Sequence, residues 1–182
     1  MAAPLPVCIT AGATGPWRVT AIRPVSGDPL APAARLAVED GPATAPAGAW
    51  RLRGVTSNLR YTAEAERAML ASVQQGLGRP RATRAALIPI RKSDAWWDLA
   101  QDARRAVLED QSHHIAIGLE YLPAVARRLV HCRDLGEPFD FLTWFEFTPE
   151  DEAGFDALVT RLRATAEWRY VTREVEIRLT RD

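Results

Sequence analysis

The chain has 182 residues, of which 47% are hydrophobic and 25% are charged, as expected for a globular protein of one domain or two small subdomains. Its 23 basic and 23 acidic residues balance, so the net charge gives no reason to expect nucleic acid or an anionic membrane as a partner. Two widely separated cysteines, Cys8 and Cys132, match no zinc or redox motif, and the N-terminus lacks the basic and apolar regions of a signal peptide, so we expect a soluble cytoplasmic protein.

The first half of the chain predicts two strands and one helix. β-Branched and aromatic residues predict strands at residues 17–23 and 50–61. Between them, residues 24–48 are rich in Pro, Gly and Ala and predict mostly loop, with a short helical or extended piece near residues 36–39. Early acidic residues and a spaced apolar stripe predict a helix at residues 63–75, which the following Gly and Pro residues end.

The middle of the chain predicts a strand followed by helices. Residues 85–91 read as a strand, in which Pro89 indicates an edge or a bulge because proline cannot donate a backbone hydrogen bond. Ser93 can cap a helix that contains a Trp-Trp pair and runs to about residue 110. Residues 111–128 fit both a strand and a helical face; we favour a helix that is broken near Pro123 and continues through residues 121–130.

The last part of the chain predicts strand, helix and strand. Residues 139–147 alternate aromatic side chains, which is typical of a strand, and these aromatics are expected in the core. Thr148 and Asp151 can cap a helix at residues 149–166, and residues 169–180 alternate apolar side chains as a strand does. The buried stripe of the helix is predicted to contain Phe155, Leu158, Val159 and Leu162.

These elements predict an α+β fold with an antiparallel sheet and helices on its outer face. The second half has the order strand, helices, strand, helix, strand, and the first half is a shorter version of it. No glycine-rich phosphate loop joins a strand to a helix, which argues against a Rossmann fold. We therefore expect two ferredoxin-like units, a truncated one at residues 1–84 and a second at residues 85–182.

The residues that could bind a metal or an anion are concentrated between residues 111 and 128. His113 and His114 lie in an apolar setting, and Arg127 follows beyond a turn. A buried histidine of the core explains such a pair as well as a metal ligand does. A Ser-His hydrolase lacks a nucleophile elbow, a zinc hydrolase lacks further ligands at helical spacing, and the aromatic strand lacks the basic residues of a nucleic-acid platform. An apolar cavity with one imidazole and one guanidinium suits a planar cofactor such as haem.

Five motifs give this region a family resemblance. They are Ala-Leu-Ile-Pro-Ile-Arg-Lys-Ser at residues 86–93, Trp-Trp at 96–97, Ser-His-His-Ile-Ala-Ile-Gly at 112–118, Tyr-Leu-Pro-Ala-Val-Ala-Arg at 121–127 and Phe-Asp-Phe-Leu-Thr-Trp-Phe-Glu at 139–146. Together they resemble the chlorite dismutase family, over roughly the part of the chain from residue 50 onward. The length is similar to that of the short, dimeric branch, which implies a homodimer with haem b in the C-terminal unit.

The resemblance implies a role for each polar residue of the site. His114 is the expected proximal ligand of the haem iron, and Glu167 is expected to accept the other ring proton of that histidine. Arg127 is expected on the distal side with Gln74 beside it, and Lys92, the only lysine of the chain, is expected to meet a haem propionate. Trp96 is expected to pack against the haem. Asn58 and Tyr61 are candidates near the propionates, and the apolar lining is expected to include Ile88, Leu119, Leu122, Trp144 and Phe145.

The implied reaction is the conversion of chlorite to chloride and dioxygen. Relatives that decarboxylate coprohaem use a Tyr immediately before the Pro of the strand leading to the Lys, where this chain has Ile88, and typically a Gln where it has Arg127. Both differences argue against decarboxylation. Three alternatives stay open at this point: a haem enzyme with another substrate such as peroxide, a haem carrier or sensor, and a structural dimer without a cofactor.

Overall fold

The sheet of this protein closes into a barrel of eight strands, all paired antiparallel. The structure, a computed structural model, describes residues 5–46, 48–56, 68, 72–73 and 75–182. The strands are β1 (Pro6–Gly12), β2 (Trp17–Ser26), β3 (Arg35–Asp40), β4 (Trp50–Thr56), β5 (Arg84–Lys92), β6 (Ala126–His131), β7 (Phe141–Phe147) and β8 (Val171–Arg181), in the barrel order β1-β3-β2-β8-β5-β7-β6-β4.

Short helices connect the strands of the second half. They are α1 (Asp94–Trp97), α2 (Gln101–Arg105), a π-helical turn (Ala106–Gln111), α3 (His114–Glu120) and α4 (Glu152–Arg163), with 3₁₀ turns at Arg133–Leu135, Pro149–Asp151 and Ala166–Tyr170. The helix predicted up to residue 110 is thus three shorter pieces. In the part of the chain that the structure describes, no helix has the length and apolar character needed to cross a membrane.

The barrel interior is the larger apolar core. Every second residue of the strands points into it, as the pleat of a strand requires, and Leu87, Leu142 and Ile177 are completely buried there. Trp17 and Trp144 meet edge to face with their ring centroids 5.3 Å apart. Each large apolar side chain buried in this way contributes about 1.5–3 kcal/mol before entropy losses. Packing in this interior fixes the shape of the sheet, so side chains on the outer face of the sheet have fixed positions and can form a site.

A second apolar cluster covers the outer face of β5 and β7. Ala86, Ile88 and Phe145 point outward from these strands and pack in one cluster with helix α4. The predicted stripe of α4, with Phe155, Leu158, Val159 and Leu162, is confirmed as its buried face. Residues of α3 and the turn after it, Ile117 and Tyr121, also pack against this cluster. The layer between the outer sheet face and the helices is therefore the place where side chains of both can meet.

Most of the predicted elements are confirmed, with two corrections. Residues 121–130 were expected to be helical, but residues 126–131 form β6, because their backbone groups pair with β7 along the whole strand. Pro89 was expected at an edge or a bulge, yet β5 lies between β7 and β8; the ladder to β8 skips residues 88 and 89, so the absent N–H of the proline is tolerated. The extended alternative at residues 36–39 is confirmed as part of β3.

Some predictions concern residues outside the described part of the chain. The helix expected at residues 63–75 falls mostly on them, and the described residues 68, 72 and 73 are helical. Asn58, Tyr61 and Gln74, the three site candidates from this part of the chain, also lie outside the described residues. Their assignments stay predictions from the sequence.

Candidate functional site

The side chains of Glu167, His114 and Lys92, which come from three different elements, meet in one cluster. Oε2 of Glu167 lies 2.6 Å from Nδ1 of His114, and its Oε1 lies 2.7 Å from Nζ of Lys92. Glu167 and Lys92 are only 5% and 4% exposed, so the pair is a buried ion pair in which both carboxylate oxygens have a donor. We call these three residues the His114 triad. Because Nδ1 is engaged by Glu167, only Nε2 of His114 is left to bind a metal.

The charge state of Glu167 follows from these neighbours. Burial on its own would raise the pKa of Glu167, but the adjacent His114 and Lys92 outweigh burial and lower the pKa to about 2. At neutral pH the carboxyl is therefore ionised and accepts hydrogen bonds, so the proton of the short contact belongs to Nδ1 of His114. A donor N–H in this position makes the imidazole more electron-rich and a stronger metal ligand.

The backbone around His114 explains its placement. His113 has a left-handed backbone conformation (φ 51°), which is uncommon for a residue other than glycine and separates the π-helical turn from α3. Helix α3 then begins at His114, and the carboxylate of Glu109 accepts the backbone N–H of Ile115 at 2.8 Å. An anion at a helix N-terminus stabilises the first turn. Ser112 fixes the other partner, since its Oγ accepts the backbone N–H of Glu167 at 2.9 Å.

The pKa of Glu167 differs between the folded and unfolded protein, so the free energy of unfolding depends on pH. The loss of stability in Glu167→Gln is therefore expected to depend on pH as well. The carboxyl titrates near pH 4.5 when exposed and near pH 2 in the folded protein. The stability that the charge contributes, on the order of 3 kcal/mol, is therefore complete above pH 4.5 and lost as the pH falls toward 2. Denaturant unfolding of both proteins between pH 3 and 7 measures this. A difference in unfolding free energy that does not shrink on acidification contradicts the ion pair.

Lys92 has a protein partner that the sequence analysis did not assign to it. Its ammonium binds the Glu167 carboxylate and lies 4.6 Å from the centre of the Trp96 ring, and the contact with a haem propionate stays a prediction from the sequence. The reason for the contact with Glu167 lies at the end of β5, where the ladder to β8 shifts register between Arg91 and Lys92. There the backbone N–H of Lys92 donates to Oδ2 of Asp140 at 2.7 Å. This anchor holds the lysine at Glu167, away from bulk water.

Trp96 is buried with an indole N–H that has no acceptor in the described residues. It is 1% exposed, and its cluster includes Val107, Leu108 and the partly buried Tyr170. Buried indole N–H groups usually have a partner, since an unsatisfied one costs about 1–3 kcal/mol. A bound group that brings a hydrogen-bond acceptor into this cluster would remove that cost.

Replacing Trp96 by Phe separates these two contributions. The variant keeps an aromatic ring in the cluster but has no N–H. We expect the free energy of unfolding of the cofactor-free variant to lie within about 1 kcal/mol of the wild-type value. Removing an unsatisfied donor stabilises the variant, and this offsets the packing lost with the smaller ring. Affinity for haem, the cofactor that the family resemblance implies, is expected to fall by about tenfold, the value of one hydrogen bond. Calorimetry of the cofactor-free protein and haem titration give the two numbers; unchanged haem affinity would show that the N–H meets no cofactor group.

Arg127 lies on the same outer sheet face as the second apolar cluster. It stands opposite Phe145 on β7, which in turn stands opposite Ala86 on β5, and Ile88 follows one outward position further along β5. Arg127 is partly buried, and burial lowers the pKa of its guanidinium. Guanidinium nevertheless stays protonated at neutral pH. A partly desolvated cation on an apolar surface attracts small anions more strongly than an exposed one does.

Trp144 does not belong to this face. Its side chain points into the barrel, packs on Trp17 and donates its indole N–H to Oε1 of Glu146 at 2.9 Å. The expectation that it lines the cofactor cavity is therefore wrong, and its neighbour Phe145 is the residue that faces outward. Leu122 lies in the turn between α3 and β6, where it is partly buried.

Three residues of the site escaped the sequence analysis. Ser112 binds the backbone of Glu167, Asp140 holds Lys92, and Trp168 lies almost parallel to the His114 ring. Ser112 and Asp140 stand inside two of the motifs quoted above, which is their only signal in the sequence. All three contact residues far along the chain, which no local pattern reveals.

The donor set fits a macrocyclic cofactor better than a metal ion held by protein alone. No group of three or more His, Cys, Asp or Glu side chains among the described residues is arranged to hold a metal. Among these residues a metal at Nε2 of His114 has no cluster of further protein ligands, and a macrocycle such as haem would supply them. The buried N–H of Trp96 and the apolar surface around Ile88 and Phe145 fit such a group.

Comparison with known proteins gives the same assignment. The sequence model of the family described as chlorite dismutase matches residues 47–181. Chlorite dismutase of Ideonella dechloratans is 32% identical over 87 residues, which cover 48% of this chain but only 28% of that protein. The crystal structure of dimeric chlorite dismutase from Nitrobacter winogradskyi is 58% identical and superimposes with a TM-score of 0.90, covering 96% of this chain and 99% of that one.

A more distant structure shows how far the likeness extends. Chlorite dismutase from Candidatus Nitrospira defluvii in complex with imidazole is 27% identical with a TM-score of 0.59, and the match covers 80% of this chain and 56% of that one. The larger relative thus has substantial chain beyond the shared part. The family match spans most of the present sequence, and the chain belongs to the chlorite dismutase family.

Proposed function

We propose that this protein is a haem b-dependent chlorite dismutase, which converts chlorite to chloride and dioxygen. The observations that carry the proposal are the His114 triad and the outer sheet face with Arg127, against whose apolar cluster Ile117 of α3 packs. The His114 triad offers an electron-rich imidazole from α3, and Arg127 offers a cation from the outer sheet face. Haem, when bound, would supply the iron and the redox chemistry for breaking the Cl–O bonds and forming the O–O bond.

His114 would hold the cofactor through Nε2, since its Nδ1 is engaged. Glu167 keeps that imidazole in one tautomer, because the ionised carboxylate requires a proton on Nδ1. Lys92 balances the carboxylate charge in a region without water, so the site does not bury an uncompensated anion. The tautomer of the ligand and the hydrogen-bond partner of its Nδ1 are therefore set before the cofactor binds.

Arg127 would attract chlorite and keep anionic fragments close until dioxygen has formed. Its guanidinium is the group on this face that is suited to a small oxyanion, because its donors form a planar fork. Apolar neighbours such as Ile88 and Phe145 keep the local dielectric low, which strengthens the attraction. Gln74 is proposed to hold one position of the guanidinium.

The remaining assignments follow the same proposal. Trp96 would pack on the cofactor and donate its N–H to it, and Leu122 would contribute to the apolar lining of the cofactor cavity. Asn58 and Tyr61 are proposed near the propionates. Lys92 binds Glu167 and is also proposed to meet a propionate, since an ammonium has three donors.

The test of the function is an oxygen measurement on the loaded protein. Purified protein reconstituted with haem b is expected to convert chlorite into equimolar dioxygen and chloride. Peroxide in place of chlorite is expected to yield little turnover, because none of the described residues that form the site is a distal His or acid suited to shuttle its protons. A loaded protein that turns over peroxide but releases no dioxygen from chlorite would overturn the proposal in favour of a peroxidase.

We also propose two ferredoxin-like units, at residues 1–84 and 85–182, and assembly as a homodimer. The barrel order supports the division, because β4-β1-β3-β2 and β8-β5-β7-β6 are two contiguous arcs with the same internal order. The second arc has the order strand, helix, strand, strand, helix, strand that defines the ferredoxin-like unit. The dimeric relative from Nitrobacter winogradskyi supports the assembly. Light scattering on the purified protein measures its mass in solution.

A further inference from the structure

The ring of Trp168 lies beside that of His114. The two rings are 17° from parallel, with centroids 6.4 Å apart, which is within the range of offset aromatic pairs. Trp168 directly follows Glu167 in the 3₁₀ turn Ala166–Tyr170. Two consecutive residues therefore act on one imidazole: Glu167 binds its Nδ1, and Trp168 lies along its face.

Trp168 is itself held by a buried polar network. Its indole N–H donates to Oε2 of Glu174 at 2.8 Å, and Glu174 has no exposed surface. The other oxygen, Oε1, accepts two hydrogen bonds from Arg163, at 2.9 Å from Nε and 2.6 Å from a terminal nitrogen. Rotating the indole away would leave a buried carboxylate short of a donor, which is costly. The position of the indole is therefore fixed by its hydrogen bond to Glu174 of β8, which is bound in turn by Arg163 at the end of α4.

The fixed indole restricts a rotation of the His114 imidazole that the hydrogen bond to Glu167 leaves free. One hydrogen bond fixes the position of Nδ1, but the imidazole can still turn about the line from Nδ1 to the carboxylate. A rigid ring that lies nearly parallel to the imidazole, with its centroid 6.4 Å away, leaves less space for that rotation. The orientation of the ring decides where Nε2 points, and thus how a bound metal is approached.

We propose that Trp168 is a positioning residue that fixes the plane of the His114 imidazole, with the Glu174–Arg163 pair as its anchor. The inference rests on the proposed function only in taking His114 as the ligand. The orientation itself is a property of the cofactor-free protein. It can therefore be tested both without haem and with it.

The first test uses the cofactor-free protein labelled with ¹³C-histidine. In the wild type we expect one sharp His114 ring signal, shifted by the ring current of the indole. Trp168→Leu is expected to lose that shift and to broaden the signal, because the imidazole then samples several orientations. Trp168→Phe keeps a ring without its anchor and is expected to lie between the two. Trp50→Phe is the control, since Trp50 also donates its indole N–H within the fold, to the carbonyl of Ala31, on another part of the barrel.

The second test uses the haem-loaded proteins. Trp168→Leu is expected to release haem about tenfold faster, the lower end of the cost of losing a residue that supports a metal ligand, and to broaden the iron–imidazole stretching band in resonance Raman spectra. Trp168→Phe is expected to recover part of both effects. A wild-type His114 signal and stretching band in Trp168→Leu would overturn the inference. Absence of any iron–imidazole band in the wild type would instead overturn the proposed function, while the cofactor-free spectra would still decide the role of Trp168.

Discussion

Replacing His114 by Ala is expected to weaken haem retention by more than about 100-fold, beyond the 10- to 100-fold that loss of an outer-shell partner costs, and to abolish oxygen release from chlorite. The physical reason is that His114 is the side chain whose free nitrogen can bind iron, while its other nitrogen is held by Glu167. The variant also leaves the buried ion pair of Glu167 and Lys92 without its third member. Haem titration followed by absorption and an oxygen electrode give the two measurements.

His113→Asn is the matched control for this experiment. His113 is adjacent and exposed, and its left-handed backbone conformation is one that Asn tolerates. We expect this variant to bind haem and to release oxygen like the wild type. If His113→Asn loses haem while His114→Ala keeps it, the ligand has been assigned to the wrong histidine of the pair.

Replacing Arg127 by Ala is expected to keep haem binding but to lower kcat/KM for chlorite by about 100-fold, the typical cost of removing one preorganised electrostatic group from an active site. The cation stands on an apolar sheet face, where its attraction for an anion is little screened. Less oxygen and more free hypochlorite are expected per chlorite consumed, because fragments escape before the O–O bond forms. An oxygen electrode and a hypochlorite trap measure both products.

Two further variants separate charge from position. Arg128→Ala removes the next residue on the same strand, whose guanidinium pairs with Asp40 at 2.5 Å on the exposed surface. Because exposed pairs contribute little, this variant should behave like the wild type. Arg127→Lys keeps the charge but loses the planar fork, and intermediate activity is expected. An unchanged oxygen yield in Arg127→Ala would contradict the role of this residue.

Local patterns predicted the elements whose apolar residues have one clear period. The alternating aromatics of β7 and the stripe of α4 are examples, since each buries the face that its periodicity predicts. Residues 126–131 show the limit of this reasoning. Their apolar residues fit a helix as well as a strand, and pairing with β7 decided between the two. Backbone hydrogen bonds to a distant strand leave no mark on the sequence of the strand that receives them.

The sequence by itself determined the family, the order of most elements, and His114, Glu167 and Arg127 as candidates for the site. Only the tertiary structure decided that Lys92 binds Glu167, because these residues are 75 positions apart and no spacing rule links them. Only the sheet decided that Phe145 faces the site while Trp144 faces the barrel interior. Alternation shows that the two neighbours point in opposite directions, but which direction leads to the site depends on how the whole sheet closes.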